Sequence, residues 1–84
     1  MNTKFILFNL REALEELDAT IKEIEADDDY SEPQFSIAMK HLYHHVNTAW
    51  NARNSGDEEL KECSGEYFNR WGRYPADLEV MSIE

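Results

Sequence analysis

The sequence predicts an all-α protein, a three-helix up-down-up bundle with long first and second helices, a shorter third helix and an apolar C-terminal tail. Three observations lead there. Apolar residues recur with helical rhythm in three separate segments. The breaks between the segments carry the residue patterns of helix starts. Neither paired alternating strands nor a Gly-rich phosphate loop occurs. The 84 residues are read as one helical domain, residues 1–84, with helices at about 2–26, 32–54 and 56–71 and a tail over 73–84.

In the first helix, Ile6, Leu7, Leu10, Ala13, Leu14, Leu17, Ile21 and Ile24 fall on one stripe about 120° wide, the expected core face. Glu12, Glu15, Glu16, Lys22, Glu23 and Glu25 lie largely off it, and no Gly or Pro interrupts the pattern. The run "DDDYSEPQF" then ends the helix, because acids oppose the negative end of the helix dipole and favour a solvated turn. Within that run Ser31 is the expected N-cap of the second helix, with Pro33 in its first turn. Gln34 completes a capping box, and Tyr30 with Phe35 has the spacing of a hydrophobic staple. The second stripe is Phe35, Ala38, Met39, Leu42, Val46, Ala49 and Trp50. "NSGDEEL" repeats the start signal with Ser55 and Glu58. The third helix presents Leu60, Cys63, Ser64, Tyr67 and Trp71 on one face, with Gly72 and Pro75 ending it. Leu78, Val80, Met81 and Ile83 give the tail its apolar character. Short turns between such helices place them antiparallel.

A chain this short sits near the lower limit for a self-sufficient core, so association with a copy of itself is a natural source of buried area. Cys63 is the lone cysteine, which rules out an internal disulfide and fits a reducing compartment. The apolar run near the N-terminus is too short for a secretory signal or a membrane span. A cytoplasmic location is the resulting expectation. The net charge of −10 repels phosphates, so neither nucleic acid nor an anionic membrane is expected as a partner. An acidic chain of this kind also allows a DNA-mimic reading, in which carboxylate rows occupy a basic protein.

Charge is divided unevenly along the chain, with −7 over residues 1–32, +2 over 33–56 and −5 over 57–84. The acid-free middle segment implies that the second helix meets acidic helices, from its own chain or from a second copy.

The segment "HLYHH" holds the three histidines, His41, His44 and His45. His41 and His45 stand one turn apart, the spacing that lets two imidazoles grip one metal ion. They are the candidate metal ligands. The glutamate of an HExxH motif is missing, and no Cys/His spacing elsewhere completes a ligand set. The competing readings are that both flank the core and bond to carboxylates of a neighbouring helix, or that the histidines form a proton-linked switch. No resident cofactor is indicated. Trp50, Tyr67, Phe68, Trp71 and Tyr74, interleaved with Arg53, Arg70 and Arg73, read as core aromatics with wet edges.

Phe5 and Phe8 project opposite the main stripe of the first helix, and Ile37 lies off the stripe of the second. Either the C-terminal tail covers the two phenylalanines or a second subunit does, and these three are the candidate partner interface, most economically in a twofold homodimer. No nucleophile–base pair or paired carboxylates in a cleft can be assembled. The expectation is therefore a non-enzymatic module that acts by protein–protein contact or self-association.

Overall fold

A computed structural model describes residues 1–56 and 71–78. Among them the chain is all-α, with two helices and no strand: α1, Thr3–Ala26, and α2, Glu32–Asn51. The third helix expected over 56–71 lies outside the described residues except at its two ends, as does the tail beyond Leu78. Ser55 and Trp71 both sit at the open end of the α1–α2 hairpin, where Asn2 bonds to Ser55 and Phe5 packs on Trp71.

The start of α1 is capped by Asn2, whose side-chain oxygen accepts from the Phe5 N–H at 3.2 Å. The same residue ties the two helices together. Its Nδ2 donates to the Ser55 carbonyl at 3.0 Å, and its backbone N–H donates to the Arg53 carbonyl.

At the far end, Asp27 stops α1 in an extended conformation. Its carboxylate accepts from the Asp29 N–H at 2.9 Å, and its carbonyl accepts from the Tyr30 N–H at 3.1 Å. The aspartate run therefore builds the turn as well as solvating it. Gln34 Oε1 accepts from both the backbone N–H and the hydroxyl of Ser31 at 2.9 Å, the returning half of the capping box. α2 ends at Asn51, before the expected Asn54. Its last carbonyls are taken up locally: the Trp50 carbonyl accepts from the Arg53 guanidinium at 2.8 Å and from the Arg53 N–H at 3.2 Å.

The helices meet along only part of the faces expected from amphipathicity. Asn9, Ala13 and Thr20 of α1 are buried, as are Ala38, Thr48 and Ala49 of α2, with Ala52 just beyond it. Leu7, Leu10, Leu14, Leu17, Ile21 and Ile24 stay 41–65% exposed, and Phe35 and Val46 do likewise at 42% and 45%. Of the expected core stripes, Ala13, Ala38 and Ala49 are buried as predicted, and the expectation is corrected for these larger residues. Small side chains let two helix backbones approach closely, whereas one neighbouring helix covers only a narrow strip. Polar Asn9 and Thr20 tolerate burial because each bonds to its own helix, Asn9 Nδ2 to the Phe5 carbonyl at 3.1 Å and Thr20 Oγ1 to the Glu16 carbonyl at 2.8 Å.

Residues 71–78 dock on the hairpin near its open end. Asn47 Nδ2 donates to the Gly72 carbonyl at 2.9 Å, and Asn51 Nδ2 donates to the Trp71 and Arg73 carbonyls, both at 2.7 Å. Trp71 and Pro75 are buried there. The Trp50 indole N–H donates to Asp77 at 2.9 Å, and Arg53 pairs with the same carboxylate at 3.2 Å while stacking 3.9 Å over the Trp50 ring.

Candidate functional site

The hairpin has two unlike sides. At 100° per residue, the aliphatic rows of both helices are turned roughly 90–100° from the line of contact between them. For antiparallel helices the two rotations bring the rows to one common side. Ile24 and Phe35 line the same shallow depression beside the turn, as that geometry requires. One side thus shows Leu7, Leu10, Leu14, Leu17, Ile21 and Ile24 next to Phe35, Met39, Leu42 and Val46. Residues 71–78 lie on the opposite side, since they touch Phe5 and Asn51.

That opposite side carries the histidines. An open groove of about 790 Å³ is lined by Glu16, Lys40, His41, His44, His45, Gly72 and Arg73. His41 and His45 share the groove but reach different partners on α1. The His41 Nδ1 lies 3.7 Å from the Glu16 carboxylate, and the His45 Nδ1 lies 3.4 Å from Asn9 Oδ1. His44 meets the His45 ring edge-on at 5.7 Å between centroids. Loss of hydration on burial holds the His44 imidazole below its ordinary pKa, and the neighbouring His45 and His41 push it further down. Among the described residues no group of three or more His, Cys, Asp or Glu side chains is placed to hold a metal ion. The arrangement therefore disfavours the charged form of His44.

The candidate interface residues do not converge. Phe5 stacks on Phe8 at 6.4 Å and meets Trp71 edge-on at 6.1 Å, so Phe5 is half-buried within its own chain. Phe8 is 55% exposed and Ile37 57%, but Ile37 belongs to the turn end of α2, away from the phenylalanine pair. All three lie on the histidine side of the hairpin. The contiguous apolar surface is on the other side, and the signal for it was the same α1 stripe that amphipathicity assigned to the core.

No helix among the described residues is long and apolar enough to cross a membrane. No family model matches the chain, and neither does any curated protein or solved structure.

Proposed function

We propose that this chain is a protein–protein interaction module, without catalytic chemistry of its own, whose contact surface is the aliphatic side of the hairpin. One observation carries the reading. Leu14 is 65% exposed in the middle of a row whose other five members are 41–47% exposed, and the row of α2 runs beside it. A contiguous aliphatic surface of this extent is unusual for a chain that acts alone. Covering each half-exposed leucine or isoleucine contributes about 1 kcal/mol. Ile37 stands apart as a single exposed residue, and Phe8 stacks on Phe5 of its own chain.

The double variant L14E/I21E tests this. Wild-type protein is expected to sediment faster as concentration rises, while the variant keeps its helical circular dichroism and sediments as one chain at every concentration. If the wild type never associates and the variant loses its helicity, the row belongs to the protein's own core and the proposal fails.

A further inference from the structure

The partner that fits the aliphatic side is a second copy of this chain, a conclusion that rests on the contact surface proposed above. The α1 row, Leu7, Leu10, Leu14, Leu17, Ile21 and Ile24, steps by alternating threes and fours, the spacing of a coiled-coil seam. Its pattern reads the same in both directions about a point midway between Leu14 and Leu17. The α2 row, Phe35, Met39, Leu42 and Val46, is likewise symmetric about a point midway between Met39 and Leu42. The two midpoints lie at one level of the hairpin, because Glu16 and His41 meet across the contact there. A single twofold axis crossing both helices at this level therefore superposes each row on itself. Leu14, the most exposed member of its row, sits beside that axis.

Charge selects the same arrangement independently. The edge of α1 that borders the aliphatic side, away from α2, carries Lys4, Arg11, Asp18 and Glu25 at intervals of one heptad, all exposed. Two bases are followed by two acids. Antiparallel pairing about this axis brings Arg11 within two residues, about 3 Å, of the level of the partner subunit's Asp18, and Lys4 equally close to the partner subunit's Glu25, offsets these side chains can span, and the twofold axis repeats both contacts. A twofold axis parallel to the helices would instead set this edge against α2 of the second copy, where these pairs do not form. The Asp18 carboxylate also holds Lys22 of its own helix at 2.7 Å, and both side chains remain well exposed to an approaching cation. Exposed pairs of this kind add little affinity, but they decide orientation. The apolar rows supply the adhesion over a footprint roughly 26 Å long and two helices, about 20 Å, wide.

We infer that the chain forms an antiparallel twofold dimer in which α1 packs on α1 and α2 on α2 of the second copy, giving a four-helix bundle. The acidic turn at Asp27, Asp28 and Asp29 of each copy then lies at the partner's open end, where Lys4 and Arg53 are found, and far from the other copy's acidic turn.

Single-cysteine proteins K4C and E25C, each on a C63S background with C63A as the alternative, test the arrangement. The two positions are about 32 Å apart along one helix, so no bridge within a chain is possible. When the two proteins are refolded together and oxidised, or treated with a short bis-maleimide, a covalent heterodimer is expected. Neither protein alone should cross-link. Cross-linking of K4C or E25C by itself overturns the antiparallel arrangement. A dimer by sedimentation that gives no cross-link in the mixture also overturns it, and leaves the proposed contact surface standing. A chain that stays monomeric at every concentration overturns both.

Discussion

Asn51 holds the main chain at Trp71: its side-chain amide donates to the Trp71 carbonyl at 2.7 Å and to the Arg73 carbonyl at the same distance. One side chain on the last turn of α2 therefore orients a segment twenty residues further along the sequence. The bond requires a donor on both sides of the amide nitrogen, which no acid can supply.

Substituting N51A removes one partly buried and one exposed hydrogen bond and is expected to cost about 1 kcal/mol in urea unfolding. N51D is expected to cost more despite its similar shape, because a carboxylate faces two carbonyl oxygens. Equal losses for the two variants would show that volume, and not donation, is what matters at this position.

Stability should fall as the solution is acidified below the ordinary histidine pKa of 6.5. The folded-state pKa of His44 is lowered, so the unfolded chain takes up a proton first, and the folded state loses ground as pH drops from about 6.5 toward that lower value. Above 6.5 this group contributes no slope. The groups facing it include His41, His45, Glu16, Lys40 and Arg73, which line the same groove. The H44Q variant should flatten the dependence of melting temperature on pH between 5 and 7, by comparison with the wild type. An unchanged slope in H44Q would assign the effect to other groups.

Thr48 is 4% exposed, and its hydroxyl has no hydrogen-bond partner among the described residues. An unsatisfied buried hydroxyl carries a desolvation cost that an isosteric methyl does not. T48V is expected to raise stability by about 1 kcal/mol, read as a higher midpoint in urea. A lower midpoint would mean that the hydroxyl is satisfied in solution.

The helices and the turn between them were legible in the sequence because their signals are local. The α1 periodicity, the aspartates, Ser31, Pro33 and Gln34 each act within a turn or two of chain, and α1 and the start of α2 lie where they indicate. The face of contact was legible only in part: Ala13, Ala38 and Ala49 belong to the expected stripes, whereas the long aliphatic row of α1 stays exposed. Hydrophobic periodicity locates the most apolar side of a helix, whereas close approach selects the smallest side chains, here Ala13, Ala38 and Ala49. The two criteria separate where the aliphatic row stays exposed. The docking of residues 71–78 was also hidden, since Asn47 and Asn51 bond to backbone carbonyls that no side-chain pattern announces. Their spacing of one helical turn was the available clue. His41 and His45 carried their own spacing signal correctly, but the α1 residues opposite them, Asn9 and Glu16, stand two turns apart and draw the imidazoles to separate partners.

A seam of alanines and threonines offers little to distinguish one alignment of two helices from another displaced along the axis by a turn, about 5.4 Å. The main-chain and side-chain bonds of Asn2 to Arg53 and Ser55 remove that freedom, because a slip in either direction breaks them while the Asp27 turn is too short to absorb the slack. The hairpin is thus pinned at both ends and can pack in one alignment only, which keeps the two leucine-bearing surfaces level with each other.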